Sequence, residues 1–543
     1  MKNQSVLLVL EFDLNEMMTQ RPHHLINYLK NTFKNVVILY FNKKLYLKNQ
    51  LFDFEVIKEQ EDNITYISIP YCKHYDAEKK LLINSQLMKH YILNNFTNRN
   101  FDICIFTNPL SAPLVESIKK ENVAKVLVYE DLDDFTQYYS LYSPEITSYM
   151  ELCEGYMLDN ADVIFSVSES LKDYRIGQGH TNVPIYISPN GVILKNFNCS
   201  SNSTREDKII FIGALEEWAG VQFAIRGLKQ CIDRGFKAEF IIVGEGLYEK
   251  ELMQLTKDLN IEQYVKFLGR LEHNKLPELM NRCKVGIITF EESNLTKVAH
   301  PIKIIEYFAC GLAVIGSDFG EIKNAIDESG AGLTVGNEEE FADAVIKLLT
   351  DHNFYIQCQK NSRKYAEEFD WTRIFDNEFT IISEVRPKTR VNKLNINFEE
   401  VLQEFEMTLN SNGQDEFSLS NLFNSLEKEW VRKGYKKAAI YGAGEHTERL
   451  LKHISFENME IGGLIDSNPK YLGQSRYGYK IISFQNAIEQ EVDVIIISSR
   501  KYEEEIYNMI KNECSKNHIE IFKLYKENKE YEDQIWRQLY IEE

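Results

Sequence analysis

The sequence predicts an α/β protein made of three successive Rossmann-like units. Two broad observations point there. Short apolar runs alternate with amphipathic helical patterns along most of the 543 residues, as in mainly parallel sheets covered on both faces. Several of those runs close on glycine, which lets a ligand approach the backbone at the carboxyl end of a parallel strand. A third is local: Val298–Ser317 reads as a helix opening on proline, ending in Cys-Gly and running into an apolar strand at Leu312–Ile315. At this length one core is too few, and 44% hydrophobic content is that of a globular chain.

A formal charge of −20 argues against a nucleic-acid partner, since nothing neutralises a phosphate backbone in bulk. Nine cysteines without a CxxC or Cys/His cluster suggest neither a zinc site nor a disulfide framework, and fit a cytoplasmic location. No apolar segment is long enough to cross a bilayer, so membrane contact is expected only as a peripheral one at the inner face.

The first apolar run, residues 5–12, meets Glu11 and Asp13 and reads as a strand rather than a signal peptide. Gln20-Arg21-Pro22 then opens a helix, placing Arg21 at the carboxyl edge of that strand, where ligands bind in open α/β sheets; pairing with a surface carboxylate is the alternative. Further strands are expected at Val36–Phe41, Ile64–Ile69, Phe101–Phe106, Lys125–Tyr129 and Val163–Val167. The Lys125 strand empties into Glu130, Asp131, Asp133 and Asp134. Such crowding suits acid–base work, or else complements the dipole of a helix start. Ala77–Phe96 carries Lys79, Lys80, Lys89 and His90, as either an amphipathic surface helix or one resting on an anionic membrane.

After the turn Ser188–Val192 and a polar linker at Asn198–Asp207, a second alternation runs through strands at Lys208–Gly213, Ala238–Gly244, Val265–Gly269, Val285–Thr289 and Ala313–Gly316. In the central helix the free first-turn amides and Lys303 make an anion site. Glu306, one turn after Ile302, can accept hydroxyl donors on the same face. An ordinary buried helix–loop–strand unit is the alternative. The division expected is residues 1–190, 191–385, a charged connector at 386–435 with a loop at Asn410–Asp415, and 436–543. The last unit opens on Tyr441-Gly442-Ala443-Gly444, a GxGxxG-like turn whose third glycine is Thr447, and Asp466 closes its second strand as a ribose-binding acid would.

Ser166–Ser170, Pro189–Val192, Ile212–Leu215, Phe267–Arg270 and Glu306–Ile315, in that order and spacing, resemble the retaining family-four glycosyltransferases of the GT-B fold over about residues 1–385. The resemblance implies two Rossmann-like domains facing across a cleft, an acceptor-side domain followed by a donor-binding one. It implies a UDP- or GDP-sugar donor, with no metal required: the Ile302 and Lys303 amides on the diphosphate, Glu306 on the ribose, Gly269 and Arg270 by the base, Gly213 close to the donor. The acceptor would be a glycan, lipid or protein. This chain departs from the family at Val298, where a second glutamate is usual, and at Ala214 and Ala219, where an arginine and a lysine are usual. Lys303 and Arg21 are the expected substitutes, as in the subgroup near teichuronic-acid and other surface-polysaccharide transferases. Glu130 and Asp131 stand where the family has a catalytic-side histidine, so a catalytic role, orienting the acceptor hydroxyl or the donor sugar, would fall to one or more of Glu130, Asp131, Asp133 and Asp134. A GT-B sugar-nucleotide 2-epimerase and an inactive GT-B binding partner are the competing readings. The last unit resembles small nucleotide-binding Rossmann modules found beside sugar-modifying enzymes. Gly442, Gly444 and Asp466 would hold a nucleotide there, or the unit would serve in docking or homo-oligomer assembly.

Overall fold

The computed structural model describes residues 3–14, 19–45, 52–72, 77–142, 146–197, 205–389, 419–454, 456–466, 471–499 and 502–525, with scattered positions between 391 and 402. The expected loop at Asn410–Asp415 and residues 198–204 of the expected linker lie outside them. The chain divides into two compact units, one reaching residue 406 and the other following it.

The first unit holds two sheets. Strands β1 (Ser5–Asp13), β2 (Asn35–Asn42), β3 (Ile57–Glu61), β4 (Ile64–Pro70), β5 (Phe101–Phe106), β6 (Ala124–Asp131), β7 (Val163–Ser166) and β8 (Ile185–Ile187) are ordered β3-β4-β2-β1-β5-β6-β7-β8. The second sheet takes β9 (Glu206–Ile212), β10 (Glu239–Val243), β11 (Val265–Phe267), β12 (Cys283–Ile288), β13 (Ala313–Ser317) and β14 (Gly332–Val335) in the order β11-β10-β9-β12-β13-β14. Only β3 runs antiparallel. In both sheets the order reverses beside the first strand, and such switch points are where open α/β sheets bind ligands. The expected strands all form. β3, β8 and β14 are additional: β3 is exposed along its whole length, so its sequence carries no apolar signal, and the other two are three and four residues long.

The second unit contains a third sheet, β17-β18-β16-β15-β19-β20, formed by β15 (Lys437–Tyr441), β16 (Glu460–Ile465), β17 (Ser475–Arg476), β18 (Tyr479–Ile482), β19 (Val494–Ile497) and β20 (Glu520–Lys523). Leu419, Leu422, Phe423 and Trp430 of the helix Leu419–Arg432 pack into its core, so the end of the expected connector is part of this domain. The helix Ala77–Phe96 is buried at every residue from Leu81 to Met88. That corrects both readings made of it, since no solvent or membrane face exists along that stretch.

Two connections pass between the halves of the first unit, side by side. Val192 donates to the Phe369 carbonyl at 2.8 Å and accepts from the Trp371 amide at 3.2 Å. The helix Trp371–Glu384 then returns to the first sheet, where Trp371, Ile374, Phe375, Phe379 and Ile382 pack with Val6, Leu8 and Leu25. A boundary at 385 thus follows the sequence but not the packing.

Arg21 is the pin of this crossing. Its Nε–H donates to Glu130 at 3.0 Å; Nη1 donates to the carbonyls of Ser188 (3.1 Å) and Pro189 (2.9 Å); Nη2 donates to Ser188 Oγ at 2.7 Å and to Glu378. All five N–H groups of the guanidinium are therefore engaged, and the residue is buried. This corrects the expectation of Arg21 as a catalytic cation, because no donor remains for a diphosphate. Burial raises Glu378, with Arg21 opposing and Glu130 reinforcing. Its proton is held more tightly in the folded state. The group therefore favours folding fully below the ordinary carboxylate range, and that contribution is lost as pH rises through its raised value.

Arg21→Ala, which strands two buried carboxyl groups, is expected to cost about 3–5 kcal/mol in urea unfolding at neutral pH. Glu378→Gln is expected to cost less, and its unfolding free energy should fall less than that of the parent chain between mildly acidic and alkaline pH.

Candidate functional site

The helix Ile302–Ala309 forms because its apolar residues fall at helical spacing and Pro301 pre-sets the entry. Tyr307 fixes its position: the hydroxyl accepts from the Ile212 amide at 2.9 Å, at the end of β9, and donates to the Ile287 carbonyl. Its ring occupies the space that a side chain at Gly286 would fill, the nearest ring atom lying 2.5 Å from a Cβ built there. Arg363 donates to the Ala309 carbonyl and Arg205 to that of Cys310, so two cations stand at the negative end of the helix. At the other end Pro301 supplies no side-chain cap. The amides of Ile302 and Lys303, in the first turn, have no intrahelical acceptor, and both residues are half-buried rather than sealed.

Lys303 folds back over the end of β9. A Cβ built on Gly213, whose φ is +148°, would lie 2.4 Å from Lys303 Nζ. The ammonium sits 4.5 Å from the Phe211 ring centroid and 5.3 Å from that of Phe290. Burial lowers its pKa to about 8, with Glu306 partly restoring it. The cation thus stands beside the glycine turn that leads to Ala214 and Ala219.

Glu306 is buried, and its Oε1 meets His273 Nε2 at 2.6 Å. His273 belongs to the loop leaving β11. In that loop Gly269 (φ +65°) has open space where a side chain would project, and Arg270 faces Glu245 at 3.5 Å as an exposed pair. The three glycine-ended strands are knitted together, Gly213 N–H donating to the Val243 carbonyl and Gly244 N–H to the Gly269 carbonyl, both at 2.9 Å. One edge of the second sheet therefore carries an anion end (Gly213, Ile302, Lys303), a buried carboxylate (Glu306) and an open glycine loop (Gly269, Arg270).

Val298 does not stand free in that edge. It packs against Val167 and Leu171 of the first half, and its carbonyl accepts from Ser168 Oγ at 2.6 Å. Ser170 donates its N–H and hydroxyl to Glu321, and Asn190 donates to the His300 carbonyl at 2.7 Å, so the two halves are in contact here.

The four acids at the carboxyl end of β6 have separate employments. Glu130 holds Arg21. Asp131 is fully buried and takes a two-pronged contact from Arg175 (3.1 and 3.0 Å), which also donates to Glu154 at 2.8 Å; this corrects its expected catalytic role, because its oxygens face a guanidinium rather than a cleft. Asp134 accepts from the Gln137 amide at the start of the helix Phe135–Tyr142, the dipole-complementing alternative. Asp133 is the one left half-buried without an ion pair among the described residues. Burial raises its pKa to about 7, its hydrogen bond from the Asp134 amide opposing.

In the third sheet Gly442 (φ +123°) ends β15, Gly444 follows and Asp466 closes β16, at the switch point beside β19. Thr447, in place of the third glycine, donates to the Gly442 carbonyl and to Ser498 Oγ, both at 3.1 Å. Arg476 donates to the Ala443 carbonyl at 2.9 Å. His273, Arg175 and Glu378 have no sequence signal as partners, lying 33, 44 and 357 residues from the groups they meet.

The two facing sheets and the connections between them are those of the GT-B fold. Solved structures similar to the chain include sucrose-phosphate synthase from Thermosynechococcus elongatus (TM-score 0.56, 16% identity, 70% of this chain and 99% of that one) and Anabaena Alr3699/HepE in complex with UDP and glucose (TM-score 0.53, 17% identity, 70% and 100%). Residues 206–351 match the family model of glycosyl transferases group 1, and the chain carries a domain of that kind. Residues 434–521 match the model of the C2185-like N-terminal domain. Curated relatives include N-acetyl-alpha-D-glucosaminyl L-malate synthase of Bacillus anthracis, 25% identical over 42% of this chain and 61% of the relative. Another is an alpha-1,4-N-acetyl-D-galactosaminyltransferase of Campylobacter jejuni, 29% identical over 34% and 50%. The chain thus spans half to three-fifths of these relatives' lengths.

Gly213→Ala is expected to force Lys303 Nζ out of its place over β9 and to strain a backbone that favours glycine. As a test of the nucleotide role proposed below, affinity for UDP, read by calorimetry, should fall by about tenfold or more while the fold persists.

Proposed function

We propose that the chain is a retaining glycosyltransferase that moves a sugar from a UDP- or GDP-sugar to a glycan, lipid-linked or protein acceptor in the building of a surface glycan. The observation carrying this reading is the single edge on which open amides with Lys303, a buried Glu306 and an open glycine loop follow one another, matching a diphosphate, a ribose diol and a base in order. Charge builds on the leaving diphosphate as the glycosidic bond breaks, and pre-placed amides and a poorly solvated ammonium stabilise it without reorganising. The acceptor hydroxyl attacks from the same face and passes its proton towards the departing phosphate. Asp133, with a pKa near neutrality, orients that hydroxyl from the first half. Closure of the halves excludes water.

Val298 favours a second reading, a non-catalytic binding partner, because the place of a family glutamate is filled by an apolar interdomain contact. For the last unit we propose a nucleotide at Gly442, Gly444 and Asp466, with Arg476 beside the turn as its counter-charge; docking is the competing use. Among the described residues no helix is long and apolar enough to cross a membrane, and a peripheral location at an inner membrane face is part of this proposal.

A thermal-shift panel of UDP- and GDP-sugars is expected to raise Tm for one nucleotide class, by about 2.7 kcal/mol of stabilisation at a hundredfold excess over Kd. Glu306→Ala should remove that shift. Tight donor binding by Glu306→Ala would overturn the diol assignment, and donor binding without sugar transfer to any acceptor would favour the non-catalytic partner.

A further inference from the structure

We infer that His273 is a positioning residue for the donor site: held against Glu306 as an imidazolium, it fixes the carboxylate for the ribose diol and cancels its charge beside the diphosphate. This rests on the donor reading above.

Three observations carry it. The contact is short, 2.6 Å between His273 Nε2 and Glu306 Oε1, and Glu306 is buried while the histidine is 37% exposed. A carboxylate has about four acceptor positions, so one hydrogen bond at Oε1 leaves capacity at both oxygens for two hydroxyls. The histidine is itself held, with the Phe197 ring edge-on at 5.6 Å.

The electrostatic problem is specific to this site. Glu306 lies one helical turn beyond the amides that would receive a diphosphate, and an uncompensated carboxylate there opposes that anion. With Arg21 fully engaged elsewhere and alanines at 214 and 219, Lys303 is the cation at the glycine end, so neutralising Glu306 matters more than in a cation-rich site. His273 does this from the loop after β11, whereas Lys303 stands over Gly213.

The charged groups around His273 agree. From the helix Ile302–Ala309 it meets Glu306, whose hydrogen bond and charge raise its pKa against the effect of burial. Lys303, on the same helix, is turned to Gly213. From the helix Arg21–Thr32 it is approached by His24, which stacks on Trp371 and whose pKa burial lowers to about 4, so it adds no charge near neutrality. On its own loop Glu272 and Lys275 pair with each other at 3.3 Å.

The sign follows. Protonated, His273 makes the pair neutral overall and the donor binds more tightly; as pH rises through its raised value the compensation is lost and affinity falls. Lys303 produces a separate fall near pH 8. The test is calorimetric titration of the full chain with UDP-glucose and GDP-mannose in parallel, from about pH 6 to pH 9. Both are diphosphate diesters whose phosphates carry no titrating proton in that range, and the base, which begins to ionise only near pH 9, leaves the lower step untouched. In the parent chain donor affinity is expected to fall in two steps. His273→Gln, which keeps a donor N–H but cannot titrate, should lose the lower step and keep the upper; His273→Ala should weaken binding about tenfold at low pH. Lys303→Arg should keep the lower step and lose the upper. An unchanged lower step in His273→Gln, with the donor still bound, overturns this inference and leaves the donor reading standing. Failure of the parent chain to bind either probe at any pH overturns both.

Discussion

The second half of the first unit depends on the electrical polarity of one eight-residue helix. Its negative end is closed by two arginines that donate to the last carbonyls, and its positive end is left open by a proline that cannot cap it. Because Tyr307 ties the helix to β9 and β12 through its hydroxyl, the open end is held at the point where strand order reverses. A helix terminus contributes only a fraction of a charge, and it matters here because it is fixed and partly shielded from water. Lys303 adds a full charge at the same place, at the cost of desolvating an ammonium.

Much of the fold was legible because the signals are local. Apolar runs of five to eight residues marked the buried strands, and glycines marked where β9, β10 and β11 end. The strands that left no trace, such as Ile57–Glu61, are edges with little apolar surface to bury. Glu306, one turn after Ile302, could be placed on the face of the open first-turn amides from spacing alone. What could not be read was who meets whom across the chain. Arg21 was correctly set at the carboxyl edge of β1, yet its partner Glu378 arrives on a helix that recrosses to the first sheet, and nothing in either segment announces that return. The acids at the end of β6 likewise looked alike in sequence. Arg175 and the local backbone separate them into a buried ion pair, a helix start and a carboxyl with a pKa near neutrality.

The departures from the family pattern become physically coherent together. At 298 an acid would have to be buried against Val167 and Leu171, so valine suits the contact that this chain makes there. Beside Gly213, the lysine supplied from position 303 occupies space that a glycine turn leaves open. The cation beside the loop after β9 comes from the helix opposite it, and the loop itself carries the small residues Ala214 and Ala219.

The pin at Arg21 also says what kind of motion the first unit can make. Both strands of chain that join the halves are bound near the same guanidinium, one through Ser188 and Pro189 and the other through Glu378. Neither can slide without breaking buried hydrogen bonds to that guanidinium, so the halves have an axle rather than a slack tether. The hydroxyl contacts of Ser168 and Ser170 with Val298 and Glu321 are the complementary latch. They cross between halves through ordinary hydrogen bonds, which water can replace at far lower cost than the buried contacts of Arg21.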